Sequence, residues 1–183
     1  YNSSGWNTSE DVSDAISNND YIEWAITANA GYTVTVEEID TRYDRSPSGP
    51  SKVSIRSSAD NYAADIFTDN SVSSGSETNN ITGLSLISSE GGALTFRLYG
   101  YSANSSSGTF DIENNLSPTT LILSNTGIIL RGSVDAAVTS TTWTGETDTD
   151  WADADNWDNG VPTSSTDVTI PDGLTNKPVI LDG

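Results

Sequence analysis

Apolar and polar residues alternate along most of this chain with the two-residue period of a β-strand. In Tyr21 to Ala28, for example, Ile22, Trp24 and Ile26 fall on one face, opposite polar or small residues. This is the pattern of a half-buried strand. No stretch holds a 3.6-residue apolar period over three helical turns. The pattern therefore predicts an almost entirely β structure in which Trp24 belongs to the core.

Similar stretches recur between clusters of Gly, Asn, Ser and Pro. The further predicted strands are Tyr32 to Tyr43, Ser51 to Arg56, Ala64 to Thr68, Asn80 to Ile87, Ala93 to Tyr101, Thr109 to Glu113, Leu121 to Leu123 and Ile128 to Val134. In Tyr32 to Tyr43 the apolar positions change parity, so a β-bulge is expected at Glu37 and Glu38. The predicted fold class is all-β: an antiparallel two-sheet sandwich, jelly-roll-like, with a short C-terminal β appendage.

Three segments are predicted along the chain. Residues 1–134 form the sandwich, and residues 135–142 are small and polar, as in a junction between modules. Residues 143–183 are fewer than most domains need to form a hydrophobic core of their own. We therefore expect that they pack on the sandwich or are an incomplete module. Within them, two short strands are expected at Asp167 to Ile170 and Pro178 to Leu181.

The charge balance excludes several classes of partner. Seven Lys and Arg face 26 Asp and Glu, and the net charge of -19 repels phosphate backbones and anionic lipid headgroups. Nucleic acid is therefore an unfavourable partner, and no run approaches the roughly 18 apolar residues of a membrane span. The chain begins at Tyr1 without a basic or apolar leader, which predicts a mature product or an excised fragment.

The residue types also argue against an enzyme. The chain has no Cys and no His, which removes thiol nucleophiles, disulfides and the commonest general base at neutral pH. We therefore expect a non-catalytic protein.

A tryptophan-rich stretch follows the predicted junction. It carries Trp143 two residues before Gly145, the pair Asn156-Trp157, then Gly160-Val-Pro162 and Asp167-Val-Thr-Ile170. This order resembles a W-x-G, N-W, G-x-P, D-V-x-I segment of bacterial secreted and adhesin proteins. The resemblance implies a secreted, modular, non-catalytic product. The spacing, together with the place of such tryptophans at a module entrance in the segment it resembles, favours Trp143, Trp151 and Trp157 as core anchors over a sugar-binding platform.

A second resemblance covers residues 1–134. It rests on DYIEWAI from Asp20, AGYTV from Ala30, RSPSGP from Arg45, IRSSAD from Ile55, LTFRLYGY from Leu94 and SGTFDIE from Ser107. These motifs together resemble a jelly-roll module of Bacteroidetes-type secreted surface proteins. Such modules are appended to enzymes or adhesins, which implies an extracellular or cell-surface location. Asn114 to Asn125 departs from the pattern, as an inserted strand and turn.

Two groups of carboxylates are candidate Ca²⁺ ligands, because Ca²⁺ takes six to eight oxygens. The first is a run of five aspartates: Asp148, Asp150, Asp153, Asp155 and Asp158. The run is not an EF-hand, because the glutamate that closes an EF-hand loop is missing. The alternative is a solvated loop whose aspartates cap turns. The second is Asp111 and Glu113, on one face of a predicted strand. They are either a solvent-facing pair or, as the jelly-roll resemblance implies, Ca²⁺ ligands; a glycosidase pair is least favoured.

A candidate carbohydrate site lies on the strand Ala93 to Tyr101. Arg97, Tyr99 and Tyr101 share the face opposite Leu94, Phe96 and Leu98. Exposed aromatic rings beside hydrogen-bonding groups can stack on sugars. The alternative is that these tyrosines form cross-strand pairs that cover the outer face of the sheet.

Together these observations predict a non-catalytic extracellular module of a larger secreted or surface protein, acting in adhesion or display. One alternative is a carbohydrate-binding module that targets an attached enzyme to polysaccharide. Another is a self-assembling filament or sheet subunit, whose partner is a neighbouring copy.

Overall fold

Two antiparallel sheets packed together form the larger part of the protein, so the predicted all-β sandwich is confirmed. The computed structural model describes residues 2–113, 127–164 and 166–179. The chain divides into two compact units, Tyr1–Asp135 (unit 1) and Ala136–Gly183 (unit 2). The predicted strand Leu121 to Leu123 and the insertion Asn114 to Asn125 lie outside the described residues.

Unit 1 contains ten strands and one α-helix among its described residues. In chain order these are β1 (Asn2–Ser3), α1 (Val12–Asn18), β2 (Tyr21–Thr27), β3 (Tyr32–Arg45), β4 (Pro50–Ser57), β5 (Phe67–Asp69), β6 (Glu77–Ile81), β7 (Leu86–Ile87), β8 (Ala93–Ala103), β9 (Phe110–Ile112) and β10 (Ile128–Ala136). A 3₁₀ turn follows β4 at Ser58–Asp60. No helix in the described ranges has the length and apolar character that a membrane crossing requires.

The first sheet has the order β2-β8-β4-β5, and the second has the path β1-β9-β3-β10, with β6 and β7 also paired to β3. In the first sheet, Trp24 of β2 lies opposite Phe96 of β8 and their rings stack at 5.8 Å. In the second, Arg42 of β3 bonds to the backbone of both Glu113 and Gly127. The chain thus leaves and rejoins the same edge of β3.

The core lies between the sheets and is built from the inward faces that the alternation predicts. Leu94, Phe96 and Leu98 of β8 are at most 1% exposed. Along β3 the buried positions are Val34 and Val36 and then, on the other parity, Ile39, Thr41 and Tyr43. The predicted change of parity at Glu37 and Glu38 is therefore confirmed.

Two predicted strands differ from those observed. Asn80 to Ile87 is divided into β6 and β7, because Gly83 adopts a φ of +73° that breaks the extended chain. Ala64 to Thr68 is replaced by the shorter β5, because the carboxylate of Asp60 accepts the backbone N–H groups of Ala63 and Ala64 and holds that stretch in a turn.

The helix α1 was not expected from the sequence. Asp11 caps its N-terminus by accepting the N–H of Ser13, and Asn19 ends it in the left-handed conformation with a φ of +58°. Its apolar residues Val12, Ala15 and Ile16 follow the helical spacing for only two turns, which is too short for a periodicity argument.

Unit 2 is held together by tryptophan rings. Its strands β11 (Ser140–Thr142) and β12 (Asp167–Thr169) pair in parallel, and a 3₁₀ turn spans Ala154–Asn156. Trp143 is fully buried and meets Trp157 edge to face at 5.0 Å. The predicted use of Trp143 and Trp157 as core anchors is confirmed.

The boundaries inside unit 2 differ in detail from the sequence prediction. β11 falls within residues 135–142, which the sequence predicts as a junction. Of the stretch predicted at Pro178 to Leu181, Val179 forms a single bridge with Asp150, and residues from 180 onward lie outside the described ranges.

We predict that Gly100→Ala destabilises unit 1 by about 1–3 kcal/mol, because it overpacks the core. A Cβ at Gly100 would lie 2.6 Å from the Trp6 ring and 3.1 Å from Pro50. Trp6 has no room to retreat, since it is 4% exposed and packs on Phe110. Calorimetric unfolding measures the change.

The matched control is Gly75→Ala. Its nearest neighbour is the hydroxyl of Ser73 at 3.8 Å, so its stability should stay within about 0.5 kcal/mol of the original. Equal unfolding temperatures for the two variants would show that Gly100 is not needed for this packing.

Candidate functional site

The candidate carbohydrate-binding tyrosines are not exposed, so of the two interpretations of the sequence the sugar-stacking surface is wrong. The alternative, a cross-strand pair, is confirmed for Tyr99, which lies opposite Tyr21 with the two rings edge to face at 5.6 Å. Tyr99 and Tyr101 do point away from the core, but they are only 2% and 6% exposed. Helix α1 covers them, with Ala15 fully buried against both rings. They therefore form a second, smaller core, and neither ring is available to stack on a sugar.

Arg97, the third predicted carbohydrate-binding residue, is enclosed by its own neighbours. Its guanidinium lies 4.4 Å from the ring centre of Tyr21 and 4.0 Å from that of Tyr62, and its Nε donates to Glu23 at 2.8 Å. The Glu23 carboxylate raises the pKa of Arg97. Cation–π and ion-pair contacts of this kind fix the outer face of the first sheet.

Asp111 and Glu113, the second predicted Ca²⁺ pair, are brought together with a third carboxylate. β3 pairs with β9 so that Asp44 lies opposite Asp111, and the three side chains each place an oxygen within 4.8 Å of the others. Burial, and then the charge of Asp44, raise the pKa of Asp111. Sequence reasoning missed Asp44, because strand register is not visible in the alternation.

The five aspartates of unit 2 do not form such a group. Of the residues described, only the Asp44–Asp111–Glu113 trio brings three potential ligand atoms together. The structure therefore does not support a Ca²⁺ site formed by the five aspartates. Four of the five carboxylates accept backbone N–H groups instead. Three of them bond two residues further along the chain, as in the turn-capping alternative that the sequence left open, and Asp158 bonds to Thr142 of β11. The four are Asp148, Asp150, Asp153 and Asp158; Asp155 is exposed.

A buried amide organises this aspartate-rich loop. The side chain of Asn156 accepts the N–H groups of Thr147 and Asp148 and donates to the carboxylate of Asp148. The N–H of Asp150 and then the amide of Asn156 lower the pKa of Asp148. The loop is thus built from its own hydrogen bonds.

A carboxyl pair that the sequence did not single out lies at the end of β5 and the start of β6. Asp69 accepts the hydroxyl proton of the buried Tyr43 at 3.1 Å and lies within hydrogen-bond reach of Glu77. Burial, and then the proximity of Asp69, raise the pKa of Glu77 to about 7. Near neutral pH Glu77 is therefore still partly protonated.

An open polar cavity lies beside the N-terminal segment. It has a volume of about 330 Å³, and its lining is mostly amide and hydroxyl groups, from Gly5, Trp6, Asn7, Thr8, Asn18, Asp20 and Ser106. A smaller cavity of about 150 Å³ adjoins it and shares Gly5, Trp6 and Asp20. Burial raises the pKa of Asp20, against the opposing effect of a hydrogen bond from Asn7.

Comparison with known proteins gave no match among protein-family models, among curated proteins or among solved structures.

We predict that Asp111→Asn stabilises unit 1 at neutral pH in the presence of a chelator. The pKa of Asp111 is raised first by burial and then by the charge of Asp44, and a neutral amide removes both unfavourable effects. A gain of roughly 1 kcal/mol corresponds to a rise in unfolding temperature of about 2–4 °C. Asp14→Asn, an exposed neutralisation in α1, should change little.

The same pair of proteins tests the Ca²⁺ prediction. If the trio binds Ca²⁺, millimolar Ca²⁺ raises the unfolding temperature of the original chain and not that of Asp111→Asn. An unfolding temperature that is the same in chelator and in Ca²⁺ rules the trio out as a calcium site.

We predict that the carboxyl pair makes unit 1 less stable as the pH rises from about 4.5 to 7. The unfolded chain loses the Glu77 proton near its ordinary pKa of 4.5, whereas the folded chain keeps it until about pH 7. The folded state thus binds more protons in this range, and the unfolding free energy falls with pH. Glu77→Gln should gain about 2–6 °C in unfolding temperature relative to the original between pH 5 and 8.

Glu37→Gln, an exposed change on β3, is the control and should show no such pH dependence. A Glu77→Gln curve parallel to that of the original chain would mean that Glu77 titrates normally.

Proposed function

We propose that this chain is a non-catalytic module of a larger secreted or cell-surface protein, acting in adhesion or display. The observation that carries the proposal is the division into two self-contained β units. Unit 1 has the sandwich core around Phe96 and Phe110, and unit 2 has the tryptophan core around Trp143. Serial β units that each bury their own core are typical of modular extracellular proteins.

The placement of the ionisable groups supports a binding role over a catalytic one. Glu77, whose pKa is raised to about 7, bonds to the backbone N–H of Ser73, and its neighbour Asp69 accepts a hydrogen bond from the buried Tyr43. Both groups are therefore committed to internal partners, whereas a general acid must reach its substrate. The chain also lacks His and Cys.

A carbohydrate-binding module is the second candidate, and the open polar cavity at Asp20 favours it. Carboxylate, amide and hydroxyl groups converge there, and such groups form hydrogen bonds with sugar hydroxyls. In this version the chain targets an attached enzyme to polysaccharide, and its partner is the polysaccharide rather than another copy of itself.

A bead-retention assay tests the adhesion proposal. Beads coated with the chain are passed over a panel of immobilised glycans and insoluble polysaccharides, and released reducing ends are measured in the same wells. We expect retention on at least one surface with no release of product. Beads carrying the heat-unfolded chain have the same sequence and charge and should not be retained.

Two results would contradict the proposal. Turnover of a glycan by the chain alone would make it an enzyme. Retention on none of the surfaces, with large assemblies of the chain detected by light scattering, would favour the self-assembling subunit instead.

A further inference from the structure

We propose that the cavity beside Asp20 binds one neutral saccharide unit, with the Asp20 carboxylate accepting hydroxyl protons of the sugar. The inference rests on the proposed function, that the chain is a binding module, and it names the ligand class and the site. Its elements are the N-terminal segment, the turn after α1 and Ser106, which follows β8.

The walls of the cavity are fixed by backbone hydrogen bonds. Gly5 donates to the carbonyl of Ser106 at 2.8 Å, and the carbonyl of Asn7 accepts the N–H of Ala103 at 3.0 Å. On the opposite wall, Asp20 donates to the carbonyl of Ala15 at 2.9 Å, directly after the left-handed Asn19. The lining residues thus hold their positions without a ligand, which lowers the entropic cost of binding.

The floor of the cavity is rigid as well. Trp6 lies at the bottom, packed edge to face against Phe110 at 5.6 Å and seated on the surface of Gly100. Because Trp6 is only 4% exposed, it supplies a boundary rather than a stacking platform. Recognition must therefore come from the polar groups on the walls.

The polar groups on the cavity walls can form hydrogen bonds with the hydroxyl groups of a sugar. The Asn7 side-chain oxygen accepts the N–H of Ser9 at 2.7 Å, so its amide nitrogen is the atom that bonds to Asp20. Each carboxylate has about four lone-pair positions, so one amide partner leaves acceptor capacity for a ligand. Asn18 and Thr8 add exposed groups that both donate and accept, as sugar hydroxyls do.

The electrostatics select a neutral ligand. Asp20 is the only ionisable side chain among the seven residues that line the larger cavity. Its charge, in a chain with a net charge of -19, repels uronic acids and sulfated sugars. A Ca²⁺ ion takes six to eight oxygens, usually including several carboxylates, so one carboxylate is a poor cation site. The volume of about 330 Å³ is at the small end for ligand pockets, which fits the single saccharide unit proposed here.

Titration of the intact chain followed by NMR tests the inference. The probes are glucose, galactose, mannose and N-acetylglucosamine, with glucuronate as the charged counterpart. We expect at least one neutral sugar to shift the side-chain amide signals of Asn7 and Asn18 with millimolar affinity, and glucuronate to bind more weakly.

Substitutions at Asp20 and Asn18, with a control at Asp14, make the test specific. Asp20→Asn keeps the shape but removes the charged acceptor, so affinity for the neutral sugar should fall about tenfold or more. Asn18→Ala, at an exposed position, should also weaken binding. Asp14→Asn makes the same charge change elsewhere on α1 and should bind as the original does. Thermal unfolding confirms that each variant is folded.

Three results would overturn the inference: no neutral sugar shifts the Asn7 and Asn18 signals, Asp20→Asn binds as tightly as the original, or Ca²⁺ produces the shifts and sugars do not. The bead assay separates this failure from that of the proposed function. If the beads adhere although the Asn7 and Asn18 signals do not shift, the adhesion proposal holds and the binding surface lies elsewhere on the chain. Beads that fail on every surface contradict adhesion, whatever the titration shows.

Discussion

The structure of unit 1 depends on strand β8 being buried on both of its faces. Its inner residues Leu94, Phe96 and Leu98 fill the space between the sheets, and its outer residues Tyr99 and Tyr101 lie beneath helix α1. Each buried aromatic side chain removes about 150–250 Å² from water. A sheet face with two such rings needs a cover, and the N-terminal segment supplies it. Because the N-terminal segment packs over these rings, it sets the position of α1, of the turn at Asp20 and of the polar cavity.

The excess of acid over base shapes the rest of the surface. Several described cationic groups of unit 1 are held by anions or carbonyls, as in the ion pairs of Lys52 with Glu10 and of Arg131 with Glu38 and Asp40. Exposed ion pairs of this kind contribute little stability individually, and seven Lys and Arg are too few to neutralise 26 carboxylates. Where two of those carboxylates meet at a partly buried place, burial and then the neighbouring carboxyl group raise a pKa, as for Asp111 beside Asp44 and Glu77 beside Asp69.

The alternation of side chains along the strands was enough to predict which face of each strand lies inward. It placed Leu94, Phe96 and Leu98 in the core and Asp111 opposite Phe110, because those assignments need only the two-residue period. It could not show what lies over an outward face. The alternation leaves open whether Tyr99 and Tyr101 are exposed or form cross-strand pairs. It does not predict their cover, because α1 is a two-turn helix held by tertiary contacts rather than by its own periodicity. Asp44 and the cavity at Asp20 depend on register and on chain reversal, which local pattern does not encode.

The central claim is that the N-terminal segment is an integral part of unit 1, packed on β8. Native-state hydrogen exchange tests it directly, because Ser102 and Ala103 of β8 donate their N–H groups to the carbonyls of Ser9 and Asn7. We expect these two amides to exchange with the same opening free energy as the amide of Leu98, in the centre of the sheet. Exchange of both amides at the rate of an unfolded peptide, while Leu98 stays protected, would show that the segment detaches and would contradict the account.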